Sequence, residues 1–281
     1  MTVVSRRITA VALVACCFGC ASVAPTSRKL SFEDSVIFQP TPFTAADERP
    51  DDDRFENALI ETKDGVRLHG WYQEAEKPTA VVLYCHGNAG NIAHRRWVLK
   101  LFREYLNATV LIFDYRGYGR SEGVPSELGI LEDARAARRW LAERAAVSES
   151  EIVLVGNSLG GAVVVDLAAK DGARGLVLEN TFTSLPDVAS SHLLGLPSRW
   201  LMNNRLDSER KIEHYHGPLL QTHGDADKVV PIRLGRKLFA AANEPKEFVE
   251  VPGGRHNDPP KRDYVQALRK FLESLPKPEA H

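Results

Sequence analysis

Beyond residue 56 the chain alternates short apolar runs with longer stretches in which apolar residues recur at helical spacing. The runs cover residues 80–84, 109–113, 151–155, 175–178, 218–221 and 247–251, each of strand length and most rich in Val, Leu or Ile. Such continuous hydrophobicity predicts strands buried on both faces. Helices are predicted near 93–105, 127–146, 160–170, 231–242 and 261–274. Strict alternation of the two implies an α/β fold with a mostly parallel sheet, helices on both faces and right-handed crossovers. Ahead of this rhythm, Ala58-Leu59-Ile60-Glu61-Thr62 and Val66-Arg67-Leu68-His69-Gly70-Trp71 flank Lys63-Asp64-Gly65, a hairpin closed by an Asp-Gly turn. One interval breaks the pattern. Between 178 and 218 no strand is predicted, yet Phe182, Leu193, Leu194, Leu196, Trp200, Leu201 and Met202 make it apolar. An insertion of that length after a central strand is expected to form a short lid, about residues 181–216.

The N-terminal part reads differently. Arg6 and Arg7 precede an apolar run over 8–18, too short to span a bilayer and laid out as a secretory signal. Phe18-Gly19-Cys20-Ala21-Ser22 resembles a bacterial lipoprotein signal, with Cys20 as the lipidated residue. Leu13-Val14-Ala15-Cys16 is a competing site, and a cleaved soluble export signal or an uncleaved anchor are the alternatives. Residues 24–54 are rich in Pro, Asp and Ser, with acids at Asp51, Asp52 and Asp53, the composition of a solvated linker. The expected organisation is a signal peptide over 1–19, a tether over 20–54 and one folded domain over 55–281. The expected location is a bacterial cell envelope, with a membrane surface reached through the lipid, or else the periplasm or the medium. After cleavage at Cys20 only Cys85 stays unmodified, so no intrachain disulfide is expected.

With 281 residues, 43% hydrophobic and 26% charged, the chain has apolar material for one large core. Its formal net charge of -1, with no basic stripe interleaved with aromatics, argues against nucleic acid as a partner. Nothing in the sequence bears on oligomeric state.

The strongest chemical signal is Gly156-Asn157-Ser158-Leu159-Gly160-Gly161, set between a predicted strand and a helix of small residues. A serine on so tight a turn needs glycine two positions either side, and its hydroxyl is pushed into the open. The Leu159 N–H, at the helix start, can face a developing oxyanion. Gly119-Arg120-Ser121-Glu122-Gly123 has the same spelling, but Val124-Pro125 follows it and no helix begins there. Ser121 is therefore read as a loop residue.

A serine needs a base, and the base needs an acid to fix its tautomer. In this architecture both follow the serine, acid before histidine. Only His256 and His281 lie beyond the acid candidates, and His281 ends a Pro-containing tail, so His256 is the expected base. Asp227 is preferred as the acid because it lies further into the turn before Pro231; Asp225, directly after Gly224, is the alternative and reads as a loop brace. The second oxyanion donor is expected from Cys85-His86-Gly87-Asn88-Ala89-Gly90-Asn91, at the N–H of Asn88. His86 is read as structural and Cys85 as a buried, inert thiol. No metal site is expected, since His214 and His216 merely alternate as in a strand. No cofactor is expected either, because Gly117, Gly119 and Gly123 lack the spacing of a dinucleotide fingerprint.

Five segments together carry a resemblance: residues 84–91, 113–123, 156–161, Glu179-Asn180-Thr181-Phe182-Thr183-Ser184 and His223-Gly224-Asp225-Ala226-Asp227. They resemble the alpha/beta-hydrolase domain family, in the branch with membrane-associated acyl-protein thioesterases and serine-aminopeptidase-like bacterial hydrolases. The similarity spans about residues 59–275. It implies the alpha/beta-hydrolase fold, a triad of Ser158, Asp227 and His256, and an oxyanion hole from Asn88 and Leu159. Asn157 departs from the Gln that relatives often carry. The first expectation is ester or acyl-thioester hydrolysis through an acyl-enzyme, on a small-molecule or acylated substrate. A serine aminopeptidase-like peptidase is second, and a catalytically idle lipid-binding protein third.

Overall fold

The computed structural model describes residues 31–47, 55–192 and 198–276. Eight strands form one sheet: β1 (Glu56–Glu61), β2 (Arg67–Gln73), β3 (Val81–Cys85), β4 (Thr109–Phe113), β5 (Val153–Asn157), β6 (Gly175–Glu179), β7 (Leu219–Gly224) and β8 (Lys246–Val251). Their order is β1-β2-β4-β3-β5-β6-β7-β8. The predicted hairpin is present, with Ala58 opposite Gly70 and Ile60 opposite Leu68. β2 pairs antiparallel with β4, and every later pairing is parallel.

The helices are α1 (Phe32–Ile37), α2 (Arg96–Lys100), α3 (Glu127–Ala145), α4 (Leu159–Asp171), α5 (Leu185–His192), α6 (Ser198–Leu201), α7 (Ser208–Ile212), α8 (Ile232–Ala241) and α9 (Arg262–Ser274). Alternation along each strand assigns them to two layers. Leu83, Leu111, Leu154 and Leu178 pack toward α3, α4 and α8, whose Ile130, Leu141, Val163, Leu167 and Leu238 fill that core. Val82, Ile112, Val155, Val177 and Leu220 face the other way, toward Val98 and Phe102 and toward Tyr264, Leu268 and Phe271 of α9. Burial on both faces is why these strands carry no polar alternation. β5 begins two residues later than expected because Glu149–Glu151 make a separate 3-10 turn, capped by Ser148 and Glu151.

The N-terminal tether needs correction. Residues 31–47 are not a solvated linker but a strap on the domain. Phe38 is 2% exposed and packs in the core, while Pro40 bridges Gly90 and Pro42 bridges Gly119. The Glu33 carboxylate accepts the Asn203 and Asn204 N–H groups at 3.1 and 2.8 Å, which ties the strap to the insertion. Cys20 and the acids at 51–53 lie outside the described residues.

The insertion after β6 carries α5, α6 and α7 and no strand among its described residues. Its second half is firmly seated, with Leu206, Ile212 and Tyr215 buried and Lys211 Nζ 2.7 Å from Asp166 Oδ1 of α4. Phe182 is buried, whereas Trp200 and Leu201 are 91% and 66% exposed. Leu193, Leu194 and Leu196 lie outside the described residues. His214 and His216 do not alternate in a strand: both are exposed in the turn after α7.

Candidate active site

Ser158 occupies the turn between β5 and α4 with φ 51° and ψ -113°, a conformation that costs energy for any residue with a Cβ. Two glycines let the turn close. A Cβ on Gly156 would stand 2.3 Å from the Gly160 carbonyl oxygen, and one on Gly160 would stand 1.9 Å from that of Cys85. No larger residue fits at either place unless α4 moves off the sheet. β6 holds the serine backbone from the other side. The Ser158 N–H donates to the Glu179 carbonyl at 2.8 Å, and Thr181 Oγ1 donates to the Ser158 carbonyl at 2.8 Å.

His256 arrives on the loop after β8. Its Nε2 lies 3.0 Å from Ser158 Oγ and its Nδ1 lies 2.7 Å from Asp227 Oδ2, so residues 98 and 29 positions apart in sequence meet. Asp227 sits in the loop after β7, where its Oδ1 accepts the Val229 and Val230 N–H groups at 2.8 and 2.9 Å. Burial disfavours its charge, but hydrogen bonds from His223, His256 and the Val230 N–H outweigh burial and hold the carboxyl below the usual carboxylate range. An ionised Asp227 accepts a proton-bearing Nδ1, which leaves Nε2 with the lone pair that can take a hydroxyl proton. Asp225, the alternative acid, accepts the Gly253 N–H at 2.6 Å and braces the two loops.

The loop after β3 runs beside the serine: a Cβ on Gly87 would lie 3.5 Å from the Ser158 Cβ. Asn88 follows directly. Its side chain is engaged by the strap and its surroundings, accepting from the Gln39 N–H and the Tyr118 hydroxyl at 3.1 and 2.8 Å and donating to the Ile37 carbonyl at 2.6 Å. Leu159 is the first residue of α4, where backbone N–H groups have no partner inside the helix and carry the positive end of its dipole. Asn88, Leu159 and the Ser158–His256–Asp227 chain thus gather at one end of the sheet.

Two further residues were not singled out from sequence. Asn180, at φ 48°, accepts the Gly224 N–H at 3.0 Å and donates to the His256 carbonyl at 3.1 Å. It links the strand behind Ser158 to the loops that carry Asp227 and His256. Arg95 donates to the carbonyls of Asn91, Gly87 and Ala89, holding the Asn88 loop. The only advance signal was their position in or beside the quoted motifs. Burial pushes the Cys85 thiol well above its usual range, and His86 is fully buried with Nδ1 2.7 Å from the Gly87 carbonyl. Beside His256 opens a cavity of about 480 Å³, walled by Ala89, Arg95, Asn157, Glu179, Thr222 and Lys261 among others.

Comparison with known proteins shows the fold family. The sequence profile described as alpha/beta hydrolase fold matches residues 80–211. An uncharacterized protein of Mycobacterium tuberculosis is 42% identical over 221 residues, covering 77% of this chain and 78% of its own. The alpha/beta hydrolase domain-containing protein WAV2 of Arabidopsis thaliana is 36% identical over 271 residues, covering 86% of each chain. In fold, the Pyrococcus furiosus esterase Pf2001 superposes with a TM-score of 0.68 at 19% identity, over 84% of this chain and 99% of that one.

Proposed function

Because this chain belongs to the alpha/beta-hydrolase fold family, we infer that it is a serine hydrolase cleaving carboxylic ester or acyl-thioester bonds through an acyl-enzyme. The observation that carries this reading is the continuous path from Ser158 Oγ through His256 to Asp227, at 3.0 and 2.7 Å. Ser158 Oγ attacks the carbonyl carbon as its proton passes to His256 Nε2, and the new oxyanion is met by the N–H groups of Asn88 and Leu159. Collapse expels the alcohol or thiol, which leaves with the proton from His256. Water then attacks the acyl-enzyme, giving its proton to His256, and the free acid departs as Ser158 regains its own.

A fluorophosphonate probe is expected to label the wild-type chain and to fail on Ser158→Ala, and labelling of the variant would overturn the reading. Among p-nitrophenyl esters, acyl thioesters and aminoacyl amides, the esters or thioesters are expected to be turned over fastest; preference for the amides would overturn this choice in favour of a peptidase. The apolar insertion at 181–216 is read as the cover for the acyl part. No described helix is long and apolar enough to cross a membrane, and the proposed attachment is a diacylglyceryl group on Cys20. Mass spectrometry of the mature N-terminus tests it, and an unmodified chain starting near Ala21 rejects it.

A further inference from the structure

The loop that brings Asn88 beside Ser158 has little stiffness of its own. Gly87 precedes Asn88, where a Cβ would stand 2.8 Å from Asn157 Oδ1, closer than side chains pack. Gly90 follows at φ 83°. With glycine on both sides, the peptide planes between them turn freely unless contacts outside the loop fix them. Among the described residues the Asn88 N–H has no hydrogen-bond acceptor. It is therefore available to an oxyanion, but nothing bonded to it sets its direction. The side chain is bound instead. Asn88 Oδ1 accepts the Gln39 N–H at 3.1 Å and the Tyr118 hydroxyl at 2.8 Å, and Nδ2 donates to the Ile37 carbonyl at 2.6 Å. Both ends of the amide are engaged, so the side chain keeps one orientation and its Cα and main-chain N–H keep it too.

Two of those three partners are main-chain groups of the strap, and the strap is itself anchored. Phe38, between them, is 2% exposed in the core. Upstream, Asp34 Oδ1 accepts Asn204 Nδ2 of the insertion at 3.0 Å, beside the Glu33 contacts. Downstream, the Thr41 carbonyl accepts the Gly119 N–H and the Gly119 carbonyl accepts the Phe43 N–H, each at 3.1 Å. Tyr118, the third partner, is fully buried one residue before Gly119, so strap and tyrosine are held as one unit. A brace that served stability alone would also bond the Asn88 main chain; here that N–H is left unbonded and only the amide beyond it is held. Resting on the serine-hydrolase reading above, we propose that the strap at residues 37–39, together with Tyr118, aims the Asn88 N–H at the oxyanion. The Asn88 amide and Tyr118 are then positioning groups, and the strap is part of the site although it lies outside the sheet and its covering helices. A donor oriented in advance needs no reorganisation as charge develops on the substrate oxygen.

The test uses the full chain and a p-nitrophenyl ester. Asn88→Ala keeps the main-chain N–H and removes only what aims it. Its kcat is expected to fall at least about tenfold with KM within about twofold, against the roughly 10²–10³-fold that loss of a whole donor costs. A trifluoromethyl ketone, whose adduct with Ser158 carries the same oxyanion, should bind more weakly by a similar factor. A merely structural role would lower the melting temperature and leave kcat of the folded fraction and the inhibitor affinity intact. Tyr118→Phe and Gln39→Pro each remove one bond to Oδ1 and are expected to lower kcat about three- to tenfold; Phe38, at φ -87° and ψ 129°, already suits a following proline. Because both act through one amide, neither should lower kcat by more than about twofold once residue 88 is alanine. A smaller loss in Asn88→Ala, an unchanged inhibitor affinity, or losses that multiply in the double variants overturns the positioning role and leaves the triad reading standing. If ester turnover does not depend on Ser158, both fall.

Discussion

Gly156-Asn157-Ser158-Leu159-Gly160 and Gly119-Arg120-Ser121-Glu122-Gly123 have the same pattern of glycines around a serine, and the fold uses them in opposite ways. β5 delivers Ser158 to a turn and α4 leaves from it, so the hydroxyl stands at the C-terminal end of the central strands, 3.0 Å from His256 Nε2. Ser121 lies in a loop between β4 and α3, and its hydroxyl is occupied on both sides. It donates to the Asp114 carbonyl at 2.7 Å and accepts the His69 N–H at 2.9 Å. The glycines differ in purpose as well. Gly156 and Gly160 remove side chains so that a helix can start against the sheet, whereas Gly119 and Gly123, at φ 54° and 84°, let a loop turn. In this chain the pentapeptide presents its serine to a histidine only where a strand enters it and a helix leaves.

The sharpest break of this comparison is removal of each hydroxyl in turn. Ser158→Ala is expected to lower kcat on a p-nitrophenyl ester by at least about 10⁴-fold, leaving what binding and the oxyanion donors supply. Residual activity above a hundredth of wild type would mean that another group attacks.

Asp227→Asn comes next, with a loss of about 10³–10⁴-fold, because an amide no longer selects the tautomer that presents the Nε2 lone pair. The same substitution reads the carboxyl's share of stability. Its folded value is held below the ordinary one of about 3.9, so its contribution is complete above that range and disappears as pH falls through the folded value. Urea unfolding of wild type between pH 6 and pH 3 should therefore lose more stability than Asp227→Asn does over the same interval. Equal losses would mean that the carboxylate is not stabilised by its neighbours.

Asn180→Ala is expected to act more weakly, lowering kcat about 10- to 100-fold with KM nearly constant, since it frees the His256 loop without touching substrate. A purely structural role would lower the melting temperature and leave kcat of the folded fraction intact. Asn180→Asp, which keeps the acceptor for the Gly224 N–H and loses the donor to the His256 carbonyl, separates the two contacts.

How much of this was legible follows the range of the forces involved. The strands, the helices and Ser158 were readable because continuous apolar runs and a glycine-flanked serine are local signals. His256 and Asp227 followed from chain order, and the structure places His256 against Ser158 and Asp227 behind His256. The strap at 31–47 was not readable: its Pro, Asp and Ser content resembles a linker, and its contacts join residues far apart in the chain, such as Gln39 with Asn88 and Glu33 with Asn203. Asn180 was quoted within a motif but given no task. Its left-handed backbone and paired amide contacts arise only when β6, β7 and the loop after β8 come together.

The smallest effect belongs to the second serine. Ser121→Ala leaves the His69 N–H and the Asp114 carbonyl without the hydroxyl they share. The expected loss of stability is about 1–3 kcal/mol, seen as a fall of roughly 2–10 °C in melting temperature for a domain of this size. Ester turnover by the folded protein should stay within about twofold of wild type, because no atom of Ser121 bonds to the Ser158–His256–Asp227 chain. A loss of turnover comparable with that of Ser158→Ala, at unchanged melting temperature, would show the loop serine taking part in the chemistry. The contrast between strand-turn-helix and plain loop would then no longer tell a nucleophile from a brace.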